Sequence, residues 1–224
     1  MLTFLRRIIA DVNAAQTLDD ALQLIVVGVK KAVNADVCSV YLTDHASRVH
    51  MLMATDGLRQ EAVGKVTLPL GRGLIGLVAE RAEPVNVADA SEHPRYLRIV
   101  ETGETHYRAF LGVPIIQNRR VLGVLVVRQM VARTFNEDEE TFLFTLAAQL
   151  AGAITHASAS GELAQFAGVR AAGERFLAGR AGSPGVAIGT AVVTYRLADL
   201  DAVPDREAED PAQEIAAFEA ALNG

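Results

Sequence analysis

Apolar residues recur every three or four positions near the start of the chain and again towards residue 160, which is the spacing of an amphipathic helix. The first repeat predicts a helix over residues 2–15 and a second over 18–33, with Thr17 as the N-cap of the second. The later repeat predicts a long helix that begins after Asn136, where four consecutive acidic residues complement the positive end of the helix dipole. Helices therefore flank the middle of the chain on both sides.

The middle of the chain shows the alternation and the short β-branched runs that are typical of strands. The predicted strands are 37–43, 49–55, 65–69, 85–87, 109–116 and 121–130. The first two and the last two form hairpins, while a short helix over 74–81, which Pro84 ends, separates the third strand from the fourth. This order predicts an α+β fold in which helices pack on one antiparallel sheet.

A polar stretch over residues 88–108 interrupts this regular pattern. Its periodicity is weak, and we expect a long loop that carries one helical turn at 96–100. Loops of this length inside compact domains are usually functional or disordered. The 88–108 loop is therefore the candidate lid of a binding site.

Beyond the long helix the pattern indicates a different unit. Residues 161–178 continue as a helical run, and a glycine-rich turn then leads into a strand within residues 181–195. An acidic stretch and a final helix over 212–222 complete the sequence. The strand has no partner in this sequence, so we expect a second domain that begins here and is cut short.

Composition and charge exclude several classes of function. The 224 residues carry a net charge of −6, which does not suggest a nucleic-acid partner. Cys38 is the single cysteine, so neither an internal disulfide nor a four-thiolate metal site can form. The N-terminal apolar run is too short and too interrupted by charge for a signal peptide, and no other apolar stretch reaches about 18 residues without a polar break. We expect a cytoplasmic protein with no membrane partner, no metal and no cofactor.

Four segments, taken in order, resemble the GAF domain family. They are G-R-G-L-I-G-L-V-A-E-R-A-E-P-V-N-V-A-D, F-L-G-V-P-I, R-V-L-G-V-L-V-V and F-N-E-D-E. The resemblance covers residues 17–158 and implies a GAF-type antiparallel sheet with helices on both faces. It also implies that the first and last helices share one face, and that the short helix and the 88–108 loop close a small-molecule pocket on the other. Such a module is regulatory, and the resemblance provides no catalytic residue.

The segment S-P-G-V-A-I-G-T-A-V-V at 183–193 resembles the opening strand of Enzyme I of the phosphoenolpyruvate-dependent phosphotransferase system. A GAF domain followed by this strand is similar to the nitrogen-branch Enzyme I, and that resemblance implies glutamine or 2-oxoglutarate as the ligand. In that family the phosphoryl-accepting histidine lies downstream of this strand, whereas all the histidines here precede it. We therefore expect no catalysis by this chain itself and a downstream phosphotransferase domain as its partner.

The expected organisation has four parts. They are an N-terminal helix (1–16), the GAF sensor domain (17–158), a helical linker (159–180) and the incomplete start of an Enzyme I N-terminal domain (181–224). The terminal helices of GAF proteins also form parallel dimer bundles, and the run 137–178 is longer than one domain needs to bury. We therefore expect a homodimer through the terminal helices.

The candidate ligand site lies between the sheet and the 88–108 loop. The predicted ligand-binding residues are Leu74, Val78, Val87, Asp89, Tyr96, Arg108 and Phe110. The guanidinium of Arg108 matches a carboxylate, while Asp89 and Tyr96 can accept an amine or a hydroxyl, and the apolar residues form the walls. An ordinary polar loop explains the polar residues equally well, and the sequence does not fix which way each strand faces.

Other chemistries fit the sequence less well. The three glycines at 71, 73 and 76 lack the Lys-Ser/Thr pair of a phosphate-binding loop, so turn geometry and close helix packing explain them better. Cys38 in its apolar strand is typical of a small buried residue rather than of a redox or bilin-attachment site. The cyclic-nucleotide signature of some GAF domains is only partly matched, with Val127 and Arg128 at its Asn-Lys positions. A cyclic-nucleotide-binding domain, a stand-alone dimerisation and signalling module and an enzyme stay open as alternatives.

Overall fold

Helix caps and strand alternation place the elements close to their predicted positions. The structure, a computed structural model, describes residues 2–103 and 107–160. The helices in this part are α1 (Leu2–Ala14), α2 (Leu18–Ala32), α3 (Gly73–Arg81) and α4 (Glu137–Ala159). The strands are β1 (Val37–Asp44), β2 (Val49–Asp56), β3 (Thr67–Pro69), β4 (Val85–Val87), β5 (Ala109–Gln117) and β6 (Arg120–Gln129). The elements predicted within 161–178, 181–195 and 212–222 lie outside the described residues.

The strands form one sheet in the order β3-β2-β1-β6-β5-β4, and every neighbouring pair is antiparallel. Both predicted hairpins are present, and β1 and β6 join them at the centre of the sheet. Asn118 and Arg119 link β5 to β6 with φ angles of 49° and 63°, the left-handed conformation that a two-residue hairpin turn requires. The sheet and its helices confirm the predicted α+β fold.

One face of the sheet is covered by α1, α2 and α4. Alternate residues of the central strands, such as Val40 and Leu125, point to this face and are fully buried. Ile25 of α2 and Leu146 of α4 complete the same core with no exposed surface. The first and last helices of the domain therefore lie on one face, as the GAF resemblance implies.

The start of α4 is fixed by a capping box. The Asn136 side chain accepts a hydrogen bond from the backbone N–H of Glu139 (2.9 Å), and the Glu139 carboxylate accepts one from the backbone N–H of Asn136 (2.8 Å). Arg133 donates two further hydrogen bonds to that carboxylate, at 2.8 and 2.9 Å. Burial works to raise the pKa of Glu139, but the bonds from Arg133 and Asn136 outweigh it and lower that pKa. The predicted N-cap is therefore part of a larger polar network.

Within the described residues, α4 is the one helix long and apolar enough by composition to cross a membrane. Its apolar side chains are used in the domain core, however, because Leu143, Leu146 and Leu150 are fully buried in the cluster beneath the helix. The length and hydropathy of α4 thus follow from its place in the core.

Two features between α3 and β5 differ from the prediction. First, α3 ends at Arg81 as predicted, but the residue that terminates it is Ala82, which adopts a left-handed conformation (φ 53°), rather than Pro84. Second, the 88–108 loop has no helical turn at 96–100 and instead carries short 3₁₀ helices at Ala90–Glu92 and Val100–Thr102. The first of these begins where the Asp89 side chain accepts a hydrogen bond from the backbone N–H of Ser91, a local side-chain cap that favours a turn at this point.

Candidate functional site

The second face of the sheet carries its own apolar core. Because strand side chains alternate, the neighbours of the helix-facing residues, such as Tyr41, Leu52 and Val124, point to this other side. α3 and parts of the 88–108 loop pack over them, with Val78 and Ile99 among the buried contacts. The site lies between this face and its cover.

Glycines bring α3 close to the loop that precedes it. Gly71 and Gly73 have φ angles of 77° and 68°, which side-chain-bearing residues rarely adopt. A Cβ atom on Gly76 would lie only 2.5 Å from the backbone carbon of Gly71. The three glycines therefore allow a tight entry and close packing of α3.

A cleft opens between α3, the loop and strands β5 and β6. Its empty volume, including the mouth open to solvent, is about 450 Å³. It is lined by Leu68, Gly73, Leu74, Ile75, Ala90, Tyr96, Leu97, Ile99, Tyr107, Ala109, Phe110 and Arg128. A mostly apolar wall with a few polar groups suits the binding of a small molecule.

Arg128 supplies a positive charge to this wall. It lies on β6 opposite Phe110 of β5, on the same side as Val124 and Val126, and only 8% of its surface is exposed. Its guanidinium carbon is 6.0 Å from the centre of the Phe110 ring, at the outer limit of a cation–π contact. Burial raises the pKa of Tyr41 on the same face, and the charge of Arg128 opposes that rise.

The first part of the 88–108 loop is attached to β5 by polar contacts. Arg108 Nε donates a hydrogen bond to Asp89 Oδ2 (2.7 Å), and the other carboxylate oxygen accepts from the Ser91 hydroxyl (2.6 Å). Both hydrogen bonds lower the pKa of Asp89, and the bond from Ser91 has the larger effect. The backbone N–H of Ala90 also bonds to the carbonyl oxygen of Arg108 (2.6 Å).

The rest of the loop is attached to α3 and to the segment before β3. Arg95 forms an ion pair with Glu80 of α3 (2.6 Å) and a hydrogen bond to the carbonyl oxygen of Gly71. The backbone N–H of Arg59 bonds to the carbonyl oxygen of Thr102 (2.9 Å). Polar contacts that water can replace therefore hold much of the 88–108 loop in place over the sheet.

The predicted site residues fall into two groups. Leu74, Tyr96 and Phe110 line the cleft. Among the others, Val78 packs behind the wall against Gly112, and Val87 lies partly buried at the edge of the same core.

Asp89 and Arg108 are brought together, but they bind each other at the edge of the loop, where 53% of the Arg108 side chain is exposed. Sequence reasoning missed Arg128 and Tyr107 as lining residues. The signal for Arg128 was a single charge near the end of an otherwise apolar strand.

Metal and thiol chemistry find little support in the part of the chain that the structure describes. No group of three histidine, cysteine, aspartate or glutamate side chains within 2–103 and 107–160 could hold a metal ion. Cys38 is fully buried in the helix-side core, and this burial raises the pKa of its thiol. The thiol therefore lies away from the cleft in an unreactive, protonated form.

Comparison with known proteins agrees with this geometry. Residues 17–154 match the GAF domain family. The GAF domain from a phosphoenolpyruvate-protein phosphotransferase of Coxiella burnetii is 48% identical, with a TM-score of 0.70 over 72% of this chain and 96% of that one. The corresponding domain from Acinetobacter is 46% identical, with a TM-score of 0.67 over 70% of this chain and 94% of that one.

A longer relative extends the similarity past the described domain. The Escherichia coli protein described as "Phosphoenolpyruvate-dependent phosphotransferase system" is 40% identical over 214 residues, which are 96% of this chain but 28% of that protein. This chain therefore spans less than a third of the length of that relative. It belongs to the GAF domain family, as a regulatory sensory domain of the type found in phosphoenolpyruvate-protein phosphotransferases.

Proposed function

We propose that this chain binds a small nitrogen metabolite, glutamine or 2-oxoglutarate, and that binding regulates a downstream phosphotransferase domain. The observation that carries the proposal is the cleft between the sheet and the 88–108 loop, whose wall is mostly apolar with a few polar groups. The nitrogen-branch resemblance of the GAF domain and the S-P-G-V-A-I-G segment supports the choice of ligands. In this proposal the protein works in the cytoplasm and the chain itself performs no phosphoryl transfer.

The predicted site residues take different parts in this proposal. Leu74, Tyr96 and Phe110 contact the ligand from the walls of the cleft. Val78 and Val87 support these walls from behind. Asp89 and Arg108 fasten the start of the loop to β5 and so stabilise the closed cover.

Regulation requires that the ligand bind two states of the protein with different affinities, because equal affinity for both would not shift the equilibrium between them. The cleft and α4 are connected through β5, which carries Phe110 on one face and packs against α4 on the other. Closure of the loop over a ligand would stabilise one arrangement of β5 and α4. We propose that α4 passes this preference to the downstream domain, within a homodimer formed by the terminal helices.

Isothermal titration calorimetry with glutamine, 2-oxoglutarate and cyclic AMP tests the function. We expect heat from glutamine or 2-oxoglutarate and none from cyclic AMP. Ala90→Leu, which adds three carbon atoms at a buried position of the cleft wall, should weaken that binding at least about tenfold. Ala148→Leu, at an exposed position of α4, is the matched control and should bind as the unchanged protein does.

Two results would contradict the proposal. Heat from cyclic AMP alone would favour a cyclic-nucleotide-binding GAF domain. No heat from any of the three compounds, with a cooperative thermal transition that shows the protein to be folded, would favour a ligand-free dimerisation and signalling module.

A further inference from the structure

Strand β4 presents side chains to both faces of the sheet. Val85 and Val87 point to the cleft side and pack in the apolar core of that face. Because strand side chains alternate, Asn86 points to the opposite face, on which α4 lies. β4 is also the edge strand of the sheet, with β5 as its neighbour on one side. These three residues therefore connect the cleft side with the helix side at one edge of the sheet.

The Asn86 side chain forms a reciprocal pair of hydrogen bonds with the backbone of Phe135. Its Nδ2 donates to the Phe135 carbonyl oxygen (2.8 Å), and its Oδ1 accepts from the Phe135 N–H (3.1 Å). Nδ2 also lies 3.4 Å from Glu140 Oε2 in the first turn of α4. Phe135 immediately precedes Asn136, the N-cap of α4. Asn86 therefore attaches β4 directly to the start of α4.

The 88–108 loop follows β4 without a spacer, so the contacts of the loop act on the same strand. Asp89 accepts a hydrogen bond from Arg108, and the backbone N–H of Ala90 donates to the Arg108 carbonyl oxygen (2.6 Å). These contacts hold the first residues of the loop beside β5, only a few residues along the chain from Asn86. β4 is thus restrained from the loop at its end and from α4 at its centre.

The start of α4 is held by contacts that depend on the position of Phe135. Phe135 is 2% exposed, and the guanidinium of Arg133 lies over its ring at 4.1 Å. Arg133 also donates to Glu139 of the capping box and to the carbonyl oxygen of Val33 at the end of α2 (3.3 Å). A displacement of Phe135 would disturb these contacts together, because groups in one hydrogen-bonded network depend on each other. The position of Phe135 therefore affects the stability of the first turn of α4.

We propose that Asn86 couples closure of the 88–108 loop to the stability of the first turn of α4. This inference rests on the proposed function, because it names the link by which the loop acts on α4, and it specifies no ligand. While Asp89 and Arg108 fasten the loop, β4 holds Asn86 against Phe135 and the first turn is stabilised. When the loop is released, β4 shifts more freely and the first turn opens more often. Linkage requires that opening of the first turn loosens the loop by the same factor.

Amide hydrogen exchange of the 224-residue chain without ligand, followed by mass spectrometry, tests the coupling because it reports local opening. Arg108→Ala releases the loop from Asp89, and we expect exchange in residues 137–144 to become about fivefold faster. Asn86→Ala removes both bonds to Phe135 and should speed exchange in the same residues by about 5- to 20-fold. Arg108→Ala added to Asn86→Ala should then have no further effect there.

The reciprocal experiment starts from α4. Arg133→Gln weakens the contacts of the capping box, and it should speed exchange in residues 88–93 by about fivefold. The same substitution in the Asn86→Ala background should leave residues 88–93 as they are in Asn86→Ala alone. A purely local role of Asn86 would not remove these effects between distant segments, so the double variants measure the coupling itself.

Gln60→Ala is the matched control. The Gln60 amide also donates to a backbone carbonyl, that of Thr55 on β2 (2.8 Å), but β2 lies on the other side of the sheet from β4. Its loss should leave exchange in residues 137–144 unchanged. Thermal melting shows whether each variant is folded. If Asn86→Ala does not fold, Asn86→Asp replaces it, since aspartate keeps the shape and the acceptor but loses the donor to Phe135.

The outcomes separate this inference from the proposed function. Unchanged exchange of residues 137–144 in Arg108→Ala would overturn the coupling, and so would an equal effect of Arg108→Ala with and without the Asn86 side chain. Because no ligand is present, these results do not depend on the calorimetric titration. A chain that binds neither glutamine nor 2-oxoglutarate loses the proposed function, whereas loss of the coupling alone leaves ligand binding intact.

Discussion

Among single residues, Glu139 combines two stabilising contacts at the start of α4. It completes the capping box with Asn136 and pairs with Arg133, and only 7% of its surface is exposed. Glu139→Gln keeps a side chain that can complete the box but removes the charge, so we expect a loss of about 1–2 kcal/mol in the free energy of unfolding at neutral pH. Urea denaturation of both proteins measures this difference.

The same residue predicts a dependence on pH. Because folding lowers the pKa of Glu139, its contribution to stability is complete above its unfolded-state pKa, about 4.3, and is lost as the pH falls through the folded-state pKa. The difference in the free energy of unfolding between the unchanged protein and Glu139→Gln should therefore shrink below about pH 4. Glu137→Gln, at an exposed position of the same turn, should change stability by less than about 0.5 kcal/mol. A Glu139→Gln difference that stays constant down to acid pH would show that its charge is not the cause.

Among the elements, α3 contains Gly76 inside the helix and α4 contains Gly152. Replacing each of these glycines with alanine should change the stability of the protein in opposite directions. A Cβ atom on Gly76 would lie 2.5 Å from the backbone of Gly71, whereas one on Gly152 would meet nothing within 4 Å. We expect Gly76→Ala to destabilise the protein by about 1–3 kcal/mol through overpacking. Gly152→Ala should stabilise it by about 0.5–1 kcal/mol, because alanine favours the helix. Equilibrium denaturation measures the free energy of unfolding of both variants. Stabilisation by Gly76→Ala would contradict the close packing of α3.

The elements also show where sequence reasoning succeeds and where it stops. Strand periodicity and helix caps such as Thr17 and Asn136 are local signals, so they predicted the helices and strands to within about two residues. The contact between Arg108 and Asp89 joins residues far apart in sequence, and a local pattern carries no record of it. β5 and β6 are buried on both faces and read as continuous apolar runs, so the side on which Arg128 lies could not be predicted.

In the whole molecule, the face formed by α1, α2 and α4 carries several exposed large apolar residues. They are Leu2, Phe4, Leu24, Val27 and Phe144. Leu24 and Val27 are three residues apart on α2, so they lie on the same side of that helix, and 39% and 47% of their surfaces are exposed. Single exposed apolar residues are ordinary, but a group shared by neighbouring helices is typical of an interaction surface. This group supports the proposed homodimer.

The dimer predicts a specific response to charge on this surface. Leu24→Glu combined with Val27→Glu would bury two negative charges in the interface, so the protein should sediment as a monomer at concentrations where the unchanged protein sediments as a dimer. Val131→Glu, at a residue whose surface is 67% exposed in the connection between β6 and α4, is the control and should leave the dimer intact. Because Leu24 and Val27 lie on the opposite side of the sheet from the cleft, the monomeric variant should still bind the ligand. A dimer that persists in the double variant would place the interface elsewhere on the molecule, and a monomer in the unchanged protein would remove the dimer from the proposed mechanism.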